Sequence, residues 1–397
     1  MPQASEIVKP TGSFEESSAA TIIKSSKKFN QNDEVQKAYH QNPDIYSLFS
    51  LTSSFDIAFV DLTPLQGISQ RDDVDGQRRI AYGLGAGVSC SLIQHETNED
   101  TVDICPAGTL VAHKKYSVTP AELQDKSRSS TRRLHQLIWQ ELQIFCHPYL
   151  RKHENICQLV YIGWEETNLV PILALELASH GTLEDCLQHL RSYGSSLRKS
   201  NLSLDIGLGL AALHSCGIVH GDVKPSNIII QAHPSRNVVA KLSDFNGASH
   251  VSTYGNRSQC IFGTPTWQPP EVLCKEEPVD WLLADVYAYG MAFATIWSAT
   301  GYIPEGGTFL DPFFRYKLAT PERELLINIW KLTPDGGVNS MLDLAKAATA
   351  SVEEQPLPLE LIISNTLSCK PSSRLHFPEL LRLGFSSFAE SCNREIK

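Results

Sequence analysis

The chain of 397 residues lacks the features that define several broad classes of protein. Its ten cysteines form no CxxC pair, so the sequence indicates neither a zinc site nor a disulfide framework, and we expect reduced thiols in an intracellular, cytoplasmic protein. The first residues show no secretory-signal pattern, and the longest apolar run, at 287–297, is too short to span a membrane. Positive charge is not in excess, since the formal net charge is −10, which argues against a nucleic-acid-binding surface.

Hydrophobic periodicity divides the chain into three parts. We interpret residues 1–75 as an N-terminal extension that is partly disordered, because it has little apolar surface to offset chain entropy. Residues 76–178 contain β-branched and aromatic runs typical of strands, interrupted by one amphipathic helix at 131–145, and residues 179–390 show mainly helical spacing. Strands are predicted at 109–116, 156–164 and 169–177, and helices at 183–190, 202–213, 284–297, 322–332 and 359–367.

The most informative segment reads HGDVKPSN, at residues 220–227. It contains Asp222, a lysine two residues later and Asn227, and it is predicted to lie between a helix and an apolar strand. Phosphoryl transfer uses groups of these kinds, because a carboxylate orients the attacking hydroxyl, a cation stabilises the transferring group and an amide oxygen is a ligand for Mg²⁺. The alternative interpretation is a polar loop that caps a helix.

Four further features fit the same chemistry. Asp244, in KLSDFNG, is a second candidate ligand for Mg²⁺, and the glycine-rich segment 83–92 is a candidate hairpin over phosphate groups. Lys114 lies in a strand-like run, and Glu141 lies at the edge of the apolar stripe of the predicted helix, from which it can pair with Lys114. Each feature also has an ordinary interpretation. Asp244 can be a turn residue and segment 83–92 a glycine-rich β-turn, while Lys114 can be a solvated lysine and Glu141 a surface glutamate.

In their order and spacing these motifs resemble those of the eukaryotic-type protein kinase family, from about residue 78 to residue 388. Asp285 resembles an aspartate that braces the catalytic loop in that family, and Arg374 resembles an arginine that pairs with a glutamate, here Glu271 of a PPE motif. Lineages that read HGD in the catalytic loop, many of them fungal, are particularly similar, because they also carry a few extra residues before an HxNI motif, here HENI at 153–156.

The resemblance implies a bilobal α+β fold, with a five-stranded antiparallel sheet and one main helix in the lobe at 76–178 and a larger, mostly helical lobe at 179–390. It also implies transfer of phosphate from ATP, with Mg²⁺, to serine or threonine hydroxyls of protein substrates. The residues implied for catalysis are Asp222, Lys224 and Thr264, and those implied for the metal ion are Asn227 and Asp244. The residues implied for ATP binding are Gly85, Gly87, Leu92, Ala112, Lys114, Glu141, Glu176, Ala178 and Ile229. Leu175 would lie just inside the connector at 176–178.

Three residues depart from the family pattern. Cys90 stands where the third glycine of the loop is usual, Gly221 replaces an arginine before the catalytic aspartate, and Asn246 replaces a glycine after Asp-Phe. Asparagine tolerates left-handed backbone conformations better than most residues, so we expect this turn to survive. The departures leave open a pseudokinase that binds partners, and the resemblance leaves open a small-molecule phosphotransferase similar to choline kinase, against which the PPE motif and Arg374 argue.

Gly221 also bears on regulation. In many kinases the arginine at this position binds a phosphate on the activation loop, and glycine offers no charge for that purpose. The sequence therefore predicts activity that is largely independent of phosphorylation of this loop. The alternative is that Lys241, Arg257 or His250 supplies the missing charge. No oligomeric state is predicted.

Overall fold

The computed structural model describes residues 57, 59–61, 79–85, 88–96, 110–118, 129–164, 171–188, 198–252, 263–275, 278–298 and 357–391. The predicted helix at 322–332 and most of the N-terminal extension lie outside these residues. Across the described ranges, no helix combines the length and the apolar character that a membrane crossing requires.

A six-stranded sheet forms the first part of the fold, in the spatial order β1-β5-β6-β4-β3-β2. Its strands are β1 (Phe59–Asp61), β2 (Arg79–Gly85), β3 (Val88–Glu96), β4 (Leu110–Val118), β5 (Leu159–Trp164) and β6 (Ile172–Glu176). The strands predicted at 109–116, 156–164 and 169–177 are thus confirmed as β4, β5 and β6, with small shifts of their ends. Five of the six strands pair in an antiparallel manner, as the resemblance implies.

The sixth strand, β1, corrects the prediction of a five-stranded sheet. It comes from the segment interpreted as an N-terminal extension and pairs in parallel with β5, with Phe59 opposite Ile162 and Asp61 opposite Trp164. The strand has three residues, which is too short for alternation of apolar and polar side chains to reveal it. It covers backbone groups of β5 that an edge strand would otherwise leave unpaired.

One long helix, α1 (Ser129–Phe145), packs against the sheet and confirms the helix predicted at 131–145. Its residues Leu134, Ile138, Leu142 and Phe145 recur at helical spacing and are at most 3% exposed, so one face of the helix is buried. Glu141 lies beside Leu142 and is also fully buried. A glutamate is therefore carried on the face of the helix that contacts the sheet.

The second part of the fold is mostly helical. Its helices are α2 (Leu183–Gln188), α3 (Lys199–Ser215), α4 (Pro270–Leu273), α5 (Trp281–Ser298), α6 (Leu359–Thr366) and α7 (Phe377–Ser391), and its short strands are β7 (Ile218–Val219), β8 (Ile228–His233), β9 (Asn237–Leu242) and β10 (Ser249–His250). Helices α3 and α5 are buried on nearly all sides, which is typical of central helices in a core. The predicted helices at 183–190, 202–213, 284–297 and 359–367 correspond to α2, α3, α5 and α6.

Strand β9 is held beneath the sheet by Asn155, which follows α1 in the chain. The backbone carbonyl of Asn155 accepts a 2.9 Å hydrogen bond from the Leu242 amide, and its side-chain amide donates a 3.0 Å hydrogen bond to the Ala240 carbonyl. Helix α3 packs against the same point through Gly209. Because β9 leads directly to Asp244, this junction fixes the position of a predicted metal ligand relative to the sheet.

We expect the substitution Gly209→Ala to lower the free energy of unfolding by about 1–3 kcal/mol, through overpacking of this junction. A Cβ atom at Gly209 would lie 2.8 Å from the Asn155 carbonyl oxygen, which is backbone and cannot move away cheaply. Urea denaturation of the purified protein measures the effect.

Gly207→Ala is the matched control, since Gly207 lies in the same helix and its added Cβ would clash with the end of the Leu381 side chain, at 2.7 Å, and touch the Tyr289 ring and hydroxyl at ordinary contact distances of 3.6 Å or more. Leucine can change rotamer, so this substitution should cost clearly less than Gly209→Ala. Equal losses in the two variants would contradict the role given to the Asn155 carbonyl.

Candidate active site

The loop that follows β7 is fixed by a buried carboxylate, that of Asp285 on α5. Asp285 is fully buried and accepts hydrogen bonds from the backbone amides of His220, at 2.7 Å, and Gly221, at 3.0 Å. The Nε2 atom of His214 lies 3.0 Å from the same carboxylate. Asp285 thus braces the HGD loop, as the resemblance implies. Gly221 has a φ angle of 79°, a conformation that residues with a side chain adopt only at a cost.

Four polar groups converge on the side chain of Asp222. The backbone amide and the hydroxyl of Thr264 each donate a 2.9 Å hydrogen bond to Asp222 Oδ1. Asn227 Nδ2 donates to Asp222 Oδ2 at 2.9 Å, and the ammonium of Lys224 lies 2.8 Å from the same oxygen. Lys224 also donates to the Thr264 hydroxyl at 2.7 Å. The three residues predicted for catalysis therefore form one hydrogen-bonded cluster together with Asn227.

The turn after β9 places Asp244 beside this cluster. Asp244 itself adopts the left-handed conformation, with a φ angle of 58°. The turn therefore forms as expected, although Asn246 does not adopt that conformation. The side-chain amide of Asn246 instead donates a 2.8 Å hydrogen bond to Asp244 Oδ1. Phe245 is fully buried against Phe145 of α1, with ring centroids 5.5 Å apart, and so anchors the turn in the core.

Lys114 joins the sheet, α1 and this turn. Its ammonium lies 2.8 Å from Asp244 Oδ1 and also forms a short ion pair with Glu141 Oε1. The pairing of Lys114 with Glu141 predicted from the sequence is thus present. Desolvation would raise the pKa of Asp244, but the Lys114 ammonium, together with Lys224 and His220, outweighs this effect and holds the pKa below its ordinary value. For Glu141 burial prevails over the Lys114 charge, and its pKa is raised.

Apolar residues of the sheet and of β8 belong to one hydrophobic core. Ala112 on β4 is opposite Leu175 on β6, and both are at most 5% exposed, while Ile229 on β8 packs against the same core. The side chain of Glu176 is held by Lys241, whose ammonium lies 2.8 and 2.9 Å from the two carboxylate oxygens. The short segment after Glu176 then leads to Ala178 and α2.

The glycine-rich segment is described only in part. Gly85 ends β2 opposite Val88, and Leu92 on β3 lies opposite Lys114 on β4, so the register brings this segment next to Lys114. Gly87 lies outside the described residues. Cys90 pairs with Gly83 in the backbone register of β2 and β3, which places it within a regular strand.

Two contacts of the site were not predicted from the sequence. The hydroxyl of Tyr116 donates a 2.6 Å hydrogen bond to Glu141 Oε2, and Lys241 binds Glu176. Alternation along a strand could have found Tyr116, because residues two apart lie on the same face of a strand and Lys114 was already predicted to pair with Glu141. No local pattern links Lys241 to Glu176, which are far apart in the sequence.

A second buried ion pair lies away from this cluster. Arg374 binds Glu271 in a bidentate manner, with nitrogen–oxygen distances of 2.6 and 2.8 Å, and its guanidinium lies 4.9 Å from the ring centre of Tyr287. Both charged residues are at most 4% exposed. This pairing was predicted from the resemblance and ties α4 to the loop before α7.

The sequence profile of the protein kinase domain matches residues 106–385. The chain belongs to the protein kinase family. A probable serine/threonine-protein kinase kinX of Dictyostelium discoideum is 27% identical over 189 residues, which are 48% of this chain and 16% of that protein. The serine/threonine-protein kinase PLK4 of Nematostella vectensis is 30% identical over 175 residues, 43% of this chain and 16% of that protein. PLK4 of Drosophila melanogaster is 31% identical over 157 residues, 40% of this chain and 19% of that protein.

The matched segments of this kinase chain span less than a fifth of the length of these relatives. The relatives come from an amoeba and from animals, so the particular resemblance to fungal lineages stays a prediction. The bilobal α+β fold implied by the resemblance is confirmed by the family and by the sheet and helices described above.

We expect Asp285→Asn to destabilise the kinase by about 1–3 kcal/mol, because an amide nitrogen would replace one of the two oxygens that accept hydrogen bonds from buried backbone amides. Thermal unfolding followed by circular dichroism measures the change. Asp280→Asn is the matched control, since Asp280 precedes the same helix and its Oδ1 accepts from the Leu282 and Leu283 amides at an exposed position. Asparagine caps a helix as well as aspartate, so the control should unfold at nearly the wild-type temperature. A similar loss in both variants would contradict the bracing role of Asp285.

Proposed function

We propose that this kinase transfers the γ-phosphoryl group of ATP to serine or threonine hydroxyls of proteins. The observation that carries the proposal is the convergence of Asp222, Lys224, Asn227 and Asp244 with the Lys114–Glu141 pair. Their contacts form two polar groups, one of Asp222, Lys224 and Asn227 and one of Lys114, Glu141 and Asp244. Ser243, which precedes Asp244, donates 2.9 Å hydrogen bonds to the Asn227 carbonyl and so links the two groups. Phosphoryl transfer depends almost entirely on positioning and electrostatic stabilisation, and this cluster offers groups for both.

Each group in the cluster has a distinct proposed role. Asp222 is placed to orient the acceptor hydroxyl and take its proton as the hydroxyl oxygen bonds to the γ-phosphorus and ADP leaves. Lys224, beside Asp222, would stabilise charge on the transferring group. Lys114 would bind the α- and β-phosphates, and Glu141 would hold the Lys114 ammonium in place. These roles are the ones implied by the resemblance.

The donor set fits a magnesium ion. Mg²⁺ is usually held by one or two protein oxygens together with substrate phosphates, rather than by a complete protein cage. Asp244 supplies an ionised carboxylate, and both hydrogen bonds from Asn227 to Asp222 use its amide nitrogen, which leaves the amide oxygen uncommitted to Asp222. When bound, Mg²⁺ would neutralise charge on the phosphates. No group of three or more His, Cys, Asp or Glu residues suited to a metal ion occurs among the residues that the structure covers.

The apolar space next to the cluster would hold the adenine ring. Ala112 and Ile229 would lie on its two faces, with Leu175 behind it and the connector from Glu176 to Ala178 along its edge. Because the Glu176 side chain is occupied by Lys241, we assign its contact with adenine to the backbone. Gly85, Gly87 and Leu92 would cover the phosphates.

The choice of serine or threonine rests on Thr264. Its hydroxyl bonds both Asp222 and Lys224. The family resemblance associates this pair of Thr264 and Lys224 with a shallow acceptor pocket, which suits short acceptor side chains. The names of the relatives point the same way, since they are serine/threonine kinases. Location inside the cell remains part of the proposal, supported by six cysteines in the thiol form among the described residues.

A pseudokinase is the rival candidate, and one observation favours it. Asp244 Oδ1 is engaged by both Lys114 and Asn246, so a metal ion must compete with two hydrogen bonds.

A small-molecule phosphotransferase is the other alternative. The buried pair of Arg374 with Glu271 argues for a protein substrate over a small molecule, because the family resemblance associates that segment with a groove for peptide.

Purified protein should incorporate phosphate from ATP into a generic protein acceptor, on serine and threonine. We expect Asp222→Asn and Asp244→Ala each to reduce kcat/KM by at least about a hundredfold, equivalent to ~2.7 kcal/mol at the transition state. Asp280→Asn, an exposed cap away from the cluster, serves as the control and should retain the wild-type rate. Phosphate transfer that survives both substitutions would exclude the roles assigned to Asp222 and Asp244. Phosphotyrosine as the main product would exclude serine and threonine as the acceptors. Nucleotide binding without phosphate transfer would favour the pseudokinase.

We further expect phosphatase treatment to change the rate by less than about twofold, because the candidate anchors for an activation-loop phosphate among the described residues lack a charge or are already bonded. Gly221 carries no charge, Lys241 is bound to Glu176, and His250 is bonded to Ser252 at 2.8 Å. Arg257 lies outside the described residues. The rate of active kinase before and after dephosphorylation measures this, with Ser249→Ala and Ser252→Ala as parallel variants. A fall of more than about tenfold, reproduced by one alanine variant, would show that an anchor exists.

A further inference from the structure

Tyr116 is a buried tyrosine beside the Lys114–Glu141 pair. It lies on β4 two residues after Lys114, so both side chains project from the same face of the strand toward α1. It is 3% exposed, and its hydroxyl donates a 2.6 Å hydrogen bond to Glu141 Oε2. Lys114 bonds the other oxygen, Oε1. Each of the two donors therefore binds a different oxygen of the Glu141 carboxylate.

The position of the Glu141 carboxylate affects that of Lys114, because the Lys114 ammonium has two acceptors, Glu141 and Asp244. Its ammonium also binds Asp244 Oδ1 at 2.8 Å, so a shift of the Glu141 carboxylate would let Lys114 move toward Asp244. Glu141 is fully buried, and its two oxygens are oriented by the protein donors. The hydrogen bond from Tyr116 fixes the oxygen that Lys114 does not hold. It thereby prevents the carboxylate from pivoting about its bond to Lys114.

The electrostatics of the carboxylate favour the same role. Burial raises the pKa of Glu141, and the charge of Lys114 and the hydrogen bonds from Lys114 and Tyr116 oppose this rise. An ionised Glu141 is the form that pairs with the ammonium. The ring of Tyr116 also lies 5.5 Å from the Lys114 nitrogen, within the range of a cation–π contact, so the hydroxyl and the ring contact different partners.

We propose that Tyr116 is a positioning residue, whose hydroxyl fixes the Glu141 carboxylate and through it holds the Lys114 ammonium at the phosphate end of the nucleotide site. The arrangement lies entirely within β4 and α1, so it does not require a phosphate on the activation loop. For its effect on transfer the inference rests on the proposed function, while its effect on Lys114 can be measured without any nucleotide.

Tyr116→Phe removes the hydroxyl and keeps the ring, so it isolates the hydrogen bond. Tyr161→Phe is the matched control, because Tyr161 is a fully buried tyrosine on β5 of the same sheet whose hydroxyl lies 2.6 Å from His113 Nε2 instead of Glu141. The first measurement is the rate at which trinitrobenzenesulfonate, an amine-reactive probe, labels Lys114 in full-length protein without nucleotide, quantified by peptide mass spectrometry. Tm is recorded for every variant.

We expect Tyr116→Phe to label Lys114 at least about threefold faster than wild type, with the control unchanged, because a buried paired amine reacts only when it is released. In a Glu141→Gln background, Tyr116→Phe should add little, since the two changes act on one contact. ATP affinity and kcat/KM should fall roughly tenfold, while affinity for adenosine, which has no phosphate, should stay within about twofold.

Equal labelling in wild type and Tyr116→Phe would overturn the proposal, and so would equally faster labelling in Tyr161→Phe, since that would reflect general loosening of the sheet. An equal loss of adenosine affinity would also overturn it, because the effect would not pass through Lys114. Selective faster labelling in a protein that transfers no phosphate would support the positioning role and refute the proposed function instead.

Discussion

The active site depends on a charge that is held where water does not reach. Glu141 is fully buried on α1, and an isolated carboxylate in that place would be strongly destabilising. Lys114 supplies the opposite charge from β4, and its second contact, with Asp244, carries the linkage to the turn after β9. One ammonium between two carboxylates therefore links the helix, the sheet and the turn. Because Glu141 and Asp244 carry two negative charges and Lys114 carries one positive charge, these three groups together can attract a cation, which supports the proposed magnesium site.

A second set of contacts fixes the other half of the site in a similar way. Asp285 holds the HGD loop by its backbone, so the side chain of Asp222 is left to its contacts with Thr264, Asn227 and Lys224. Asn155 holds β9 by its backbone in the same manner. In both places a side chain from a neighbouring element positions a strand end or loop whose own side chains face the site. Positioning and chemistry are thus carried by different residues.

The sequence predicts this site better than it predicts the details of its support. Lys114, Asp222, Asn227 and Asp244 were found because they occur in short motifs whose order and spacing are specific, and the helices and central strands were found because their apolar residues recur at regular intervals. Strand β1 was missed because three residues are too few for a period to show. The bond between Lys241 and Glu176 was missed because it joins two strands whose registration depends on the whole fold.

The three departures from the family pattern can now be compared by what they change. Gly221 takes a left-handed conformation and keeps its amide on Asp285, Asn246 binds the carboxylate of Asp244, and Cys90 lies in the regular pairing of β2 with β3. Each alters how a segment is held, and none removes a group that would bind metal or move phosphate. A chain selected only to bind partners would have no need to keep Lys114 paired with Asp244 and Asn227 bonded to Asp222. The retention of all four, together with the additional hydrogen bond from Tyr116 to the buried glutamate, therefore supports a catalytic protein kinase over a pseudokinase.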